Sequence, residues 1–237
     1  MRHSLLLSML IVVTLASGCS TDWAKEQYEA YRAQDKAPDA QTITAGLKQA
    51  LEHGTRRAVS TLGQVDGYLK NPPVHIPVPD QLQRAESLLR RVGGGRYADQ
   101  FVASLNRAAE RAAPQAKSIF LDVIQAMTIQ DAVGILRGPD DAATKYFRLH
   151  SQARLTATFR PLVARATSEV GVTAYYKRFV EKAAATGLVD TRDLDLDDYV
   201  TRKALDGLFY MIAREEKRIR EDPIARTTEL LRKVFAS

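Results

Sequence analysis

From residue 42 onward the chain keeps one period. Apolar residues return every three or four positions, and the alternation expected of a half-buried strand is sustained nowhere. Such a chain leaves water by laying helix on helix, because each apolar stripe needs another stripe to cover it. The predicted fold is all-α. No shift in composition divides residues 40–237, so a single compact multi-helix domain is expected over 41–237.

The stripes and their punctuation set the elements. Ile43, Leu47, Leu51, Ala58, Val59 and Leu62 follow a Thr42 cap and stop at Gly63. The run from Asn71 to Pro79 carries four prolines, which forbid helix and most sheet pairing, so it should cross the domain extended. Asp80 is the expected cap of a helix bearing Leu82, Ala85, Leu88, Leu89 and Val92, halted at Gly93. From Arg96 to Met127 a stripe through Phe101, Leu105, Ala108, Ala112, Ile119 and Val123 passes Pro114, giving one kinked helix or two end to end. Thr128 and the Asp140–Asp141 pair read as N-caps, with Gly138 as the stop between them. Helices are then predicted over 141–169, with Pro161 as a possible break, and over 172–186. Asp195 or Asp197 opens another, which runs to Glu221, and Pro223 separates it from a last helix ending near Phe235.

The first eighteen residues have a different logic. Arg2 and His3 precede an apolar run from Leu5 to Ala16. At about twelve residues it is short of the roughly 20 needed to span a bilayer, and it suits a secretory signal. The run ends Leu15-Ala16-Ser17-Gly18-Cys19, which resembles the lipobox of bacterial lipoproteins; that likeness implies cleavage before Cys19 and its acylation. Plain secretion would leave Cys19, the single cysteine, as a free thiol in an oxidising compartment. The expected organisation is a signal peptide over 1–18, an acylated polar tether over 19–40, and the helical domain. Extended, that tether reaches roughly 60 Å. Ser20 in place of Asp implies, on the enteric pattern, the periplasmic face of the outer membrane, so the membrane is the first expected partner.

The formal charge is +6, and losing Arg2 with the signal leaves +5, mixed among 28 acidic residues. No basic run with interleaved aromatics appears, and nucleic acid is not expected as a partner. Gly93-Gly94-Gly95 lacks the Lys-Ser/Thr of a phosphate loop and reads as a helix stop. Asp190, Asp193, Asp195, Asp197 and Asp198 miss the glycine and glutamate of a calcium loop, and acids suit a helix N-terminus in any case. His53, His75 and His150 have no metal spacing. No metal, cofactor or catalytic residue is assigned.

What stands out is charge on an apolar stripe. On the helix opened by Asp195 or Asp197, Glu216 falls between Phe209 and Ile212, and Glu215 at the stripe's edge. A buried carboxylate must be paired or protonated, and Arg220 and Arg226 are the nearest candidate partners. A second polar patch, Asn106, Arg107 and Glu110, lies off the stripe of its own helix. Solvated surface is its plain reading, with a polar contact to another helix or a ligand as the alternative.

GLKQAL from Gly46, LNRAAERAAPQA from Leu105, MTIQDAVGILRGPDDAATKYF from Met127 and the run from Ala204 to Phe235 together resemble a proteobacterial family known as domain of unknown function 4197. The likeness covers most of residues 42–235. It implies an exported helical domain and brings no activity, substrate or catalytic residue. The expected function is that of an envelope lipoprotein: a non-enzymatic binding or scaffold domain for a protein partner or an apolar, lipid-like ligand. The alternative is a hydrolase-like enzyme using Glu216, Glu110 and Arg220.

Overall fold

Helix α1, Ala40–Leu62, begins ahead of the Thr42 expected to cap it. Asp39 takes the cap position with extended backbone (φ −68°, ψ 166°), and its Oδ1 accepts the Thr42 N–H at 2.7 Å. Thr42 is thus the capped residue and not the cap. The computed structural model describes residues 39–169, 172–184 and 195–221. Contacts between residues part the chain into Met1–Pro38 and Asp39–Ser237, and the second unit holds every element described here.

The remaining helices are α2 Gln83–Arg91, α3 Gly95–Ala112, α4 Ala116–Ala126, α5 Ile129–Arg137, α6 Ala142–Glu169, α7 Val172–Ala184 and α8 Leu196–Glu221, and no strand occurs among the described residues. Single 3₁₀ turns fall at Pro72–Val74, Asp80–Leu82 and Ala113–Gln115. The protein is all-α.

Most stops match the sequence reading. Gly63 and Gly138 close α1 and α5, and Thr128 opens α5 with a reciprocal capping box to Asp131. Gly93 takes φ +84° beyond α2, a backbone state that costs a glycine little. Three expectations need correction. Asp80 caps nothing: it sits in a 3₁₀ turn, where its Oδ1 accepts from Gln83 Nε2 at 2.6 Å. Val92, expected on the buried stripe, is 68% exposed. Pro161 does not break α6, which runs 28 residues through it. The carbonyl that Pro161 leaves without a donor belongs to Ala157, which is exposed, so water can take the place of the missing N–H.

Helix α3 is the hub. It contacts α2, α6, α7 and α8, and Phe101, Leu105, Ala108, Ala109 and Ala112 are almost wholly buried. Small alanines at those positions let the neighbouring helices approach closely. Phe120, Phe147 and Phe209 bring α4, α6 and α8 together edge to face, with ring centroids 5.3 and 5.9 Å apart. Phe101 stacks on Phe179 at 5.5 Å and so fixes α7 against α3. Among the described residues no single helix is long and apolar enough to cross a membrane.

Candidate functional site

The residues between Gly63 and Asp80 have almost no helix in which to satisfy their backbone, and four prolines among them have no N–H to offer. The groups left over in a buried crossing must find partners elsewhere. They find them in the polar patch of α3. Glu110 Oε1 accepts the N–H groups of Tyr68 at 3.1 Å and Leu69 at 3.2 Å. Asn106 pairs with Ile76 as a strand would, accepting its N–H at 2.9 Å on Oδ1 and donating Nδ2 to its carbonyl at 2.8 Å. Asn106 and Glu110 are 0% and 4% exposed, so the solvated reading of this patch is wrong for both. They lie off the apolar stripe because the face opposite it is covered as well, by the proline-rich crossing.

Arg107 ties the patch together. Its Nη1 donates to Glu110 Oε2 and its Nη2 to Asp66 Oδ1, each at 2.6 Å. Asp66 has φ +71°, uncommon outside glycine, and lies between Lys70 and Arg107; the hydrogen bond from Lys70 first, and then that from Arg107, holds its carboxyl below the usual range. Two tyrosines complete the clamp. Tyr68 OH donates to the Ala204 carbonyl at 2.7 Å, and Tyr199 OH to the Pro77 carbonyl at 3.0 Å. Burial, and after it the Glu110 carboxylate, pushes the Tyr68 phenol far above its ordinary value; burial carries Tyr199 up to about 12.

Glu216 performs the same service for a helix. Asp195 caps α8 by accepting the Asp198 N–H at 2.9 Å, which sets the register that turns Leu208, Phe209, Ile212 and Ile219 inward. Glu216 lies on that face, 5% exposed. Its Oε1 accepts the Ala143 N–H at 2.9 Å, and its Oε2 accepts the N–H and hydroxyl of Thr144 at 2.9 and 2.8 Å. Arg220 closes the set, with Nη2 3.0 Å from Oε1 and a further bond to the Ile135 carbonyl at 2.9 Å. The carboxylate is therefore the N-cap of α6, supplied from α8, where its charge also meets the positive end of the helix dipole. Asp141, expected to cap α6 with its side chain, pairs with Lys145 at 3.0 Å.

Glu215, 9% exposed, binds Arg218 through Nη2 at 2.7 Å and Nε at 3.1 Å, and Arg57 lies 3.6 Å away. Arg226 and Cys19 lie outside the described residues. Among the described residues Glu216 and Glu110 share no hydrogen-bond partner, so the expected Glu216–Glu110–Arg220 cluster is two separate centres. Of nine buried polar residues among those described, only Thr55 and Thr201 keep a side-chain oxygen with no protein partner. The void beside Glu216, between Leu47, Leu51, Ile135 and Ala143, is about 10 Å³, scarcely the space of one water. Among the described residues no group of three His, Cys, Asp or Glu side chains is placed to hold a metal.

Arg220 is the partner of Glu216 that the sequence indicates; the other partners of these centres include backbone groups of Tyr68, Ile76, Ala143 and Thr144, which leave no residue-type signal. A family described as protein of unknown function (DUF4197) matches residues 37–236, and no curated protein or solved structure matches the chain.

Proposed function

The chain belongs to the family DUF4197, whose function is unknown, and from that premise we propose that it is a lipid-anchored envelope protein working by non-enzymatic binding or as a scaffold. Cys19 is its acylation site, residues 19–40 are its tether, and the periplasmic face of the outer membrane is its location. One observation carries the non-enzymatic part. The buried acids and amide that would serve as catalytic groups are spent on backbone N–H groups and arginines, with Glu216 alone taking contacts from Ala143, Thr144 and Arg220. A general acid or base needs a free coordination position facing a substrate, and these carboxylates face the protein. A void of about 10 Å³ beside Glu216 leaves no room for an apolar ligand there, which supports action through the surface.

The anchor is tested by metabolic labelling with a palmitate analogue and membrane fractionation of wild type and Cys19→Ser. Label and membrane retention lost in the variant support the assignment; label retained at wild-type level rejects it.

A further inference from the structure

Near the start of α3 three cations gather with no acid among the described residues within ion-pair distance of them. Phe101 and Phe179 stack α7 on α3, and this packing brings Arg178 and Lys182, one turn apart, over the first turn of α3. There Arg96 Nη2 donates to Tyr97 OH at 2.8 Å, with its guanidinium carbon 4.8 Å from the ring centroid. Lys182 Nζ lies 5.9 Å from the same ring, and Arg178 lies 5.9 Å over the ring of Tyr175. Together with Gln100 and Glu181 these residues line a cleft of about 410 Å³.

The charge balance here differs from the rest of the surface. Arg90 holds Glu86 and Asp99, Arg160 holds Asp195, and Arg202 holds Asp198. Among the described residues Arg96, Arg178 and Lys182 have aromatic or phenol contacts only. Glu181 lies in the cleft beyond ion-pair distance of all three, so three positive charges and one negative leave it at +2. The Arg96 hydrogen bond, then the charges of Arg96, Lys182 and Arg178, draw the Tyr97 phenol below its ordinary value, so the same three cations act on one point. The first turn of α3 has no acid and no side-chain cap, so its dipole adds to that field.

The geometry points to a binding site for the phosphate group of an ester in this cleft, held by Arg178 and Lys182 of α7 and by Arg96 and the Tyr97 hydroxyl of α3. Phosphate suits the cleft better than a carboxylate. A phosphomonoester carries about −1.5 to −2 at neutral pH, close to the local excess, and guanidinium forks match its oxygens. The tyrosine rings give the ester's remainder a surface to lie on. The site does not depend on acylation of Cys19. Its ligand is either a lipid headgroup or a soluble phosphoester, which offer the same chemistry.

The test titrates inorganic phosphate calorimetrically into the full chain in nonionic detergent micelles at low ionic strength, where exposed charges are little screened. Saturable binding is expected, weakened by about tenfold or more in the Arg178→Gln/Lys182→Gln double variant, which loses two charged hydrogen-bond donors. Arg202→Gln, which breaks an exposed pair elsewhere, should bind like wild type. Circular dichroism checks that all three chains are folded. The titration is repeated in micelles doped with phosphatidic acid, a lipid phosphomonoester. A weaker apparent affinity there shows a lipid phosphate competing for the cleft, and an unchanged affinity identifies a soluble phosphoester. Absence of binding in undoped micelles, or equal binding by wild type and the double variant, overturns the site.

Discussion

Thr144 gives Glu216 both of its polar hydrogens, the backbone N–H at 2.9 Å and the hydroxyl at 2.8 Å, on one carboxylate oxygen. With Ala143 and Arg220 on the other oxygen, this carboxylate is at once an ion-pair partner and a helix cap. Removing it takes the carboxylate from a mostly buried guanidinium and opens the first turn of α6. Glu216→Ala is expected to cost about 3–5 kcal/mol, a large share of the ~5–15 kcal/mol typical of a domain. Glu221→Ala, on an exposed pair, should cost almost nothing. Adding Arg220→Ala should restore only part of the loss, because the Ala143 and Thr144 N–H groups still lack an acceptor, worth about 0.5–2 kcal/mol. Thermal melts of the four chains decide it, and a Glu216→Ala protein melting with wild type would refute the structural role.

Asn106 can be tested with an apolar side chain of the same branched shape. Asn106→Leu keeps α3 packed but leaves the N–H and carbonyl of Ile76 buried and unpaired, at roughly 1–3 kcal/mol for each group. The urea midpoint should fall by an amount matching at least ~2 kcal/mol, with helix content unchanged before the transition. An unshifted midpoint would mean that the crossing is held by other contacts.

Asp131 carries a pH signature. Thr128, through its hydroxyl first and its backbone N–H second, holds the Asp131 carboxyl below the ordinary 3.8, with the His150 charge and the Tyr146 hydroxyl adding to it. A depressed folded value means that the carboxylate stabilises the fold above 3.8 and loses that effect as pH falls through the folded value. Asp131→Asn should therefore lower the stability near neutral pH by under about 1 kcal/mol, read as a lower melting temperature, and the gap to wild type should close in strong acid. A gap independent of pH would contradict the assignment.

Two helical glycines should respond with opposite signs. A Cβ at Gly207 would meet Tyr68 Cε1 at 2.8 Å and Val74 Cβ at 3.1 Å, and Tyr68 cannot swing away because its hydroxyl is fixed to the Ala204 carbonyl. Gly207→Ala should destabilise by about 1–3 kcal/mol despite alanine's better helix propensity. A Cβ at Gly134 meets nothing within 4 Å, so Gly134→Ala should stabilise by about 0.5–1 kcal/mol. Chemical denaturation of both reads the signs directly.

These sites also show where a sequence stops being informative. Thr128, Gly63 and Gly138 act on groups within a few positions of themselves, so local chemistry was enough to place them. Glu216 could be put on a buried face by periodicity alone, but its main partners are backbone N–H groups 72 and 73 positions away, and every residue except proline carries that group. Asn106 and Glu110 were misjudged because a one-sided stripe implies a wet opposite side. Helix α3 keeps a wet side along Arg96, Asp99, Gln100 and Arg111, but Asn106 and Glu110 are covered by an aperiodic, proline-rich segment whose path no pattern predicts. Arg178 and Lys182 could be paired with Arg96 only once the Phe101–Phe179 stack had set α7 on α3.

The carboxylate that caps α6 has a consequence for the order in which the molecule can be assembled. Synthesis runs from the N-terminus, and Glu216 follows Thr144 by 72 residues. On the ribosome or across the membrane alike, the start of α6 emerges 72 residues ahead of the group that completes its first turn. Until then its leading N–H groups must be served by water, and the faces of α1, α5 and α6 that close around Glu216 have nothing to close upon. A chain cut short anywhere before α8 would carry most of the helix-forming sequence and still be unable to lock it, which makes the distal end of the message the checkpoint for the whole domain.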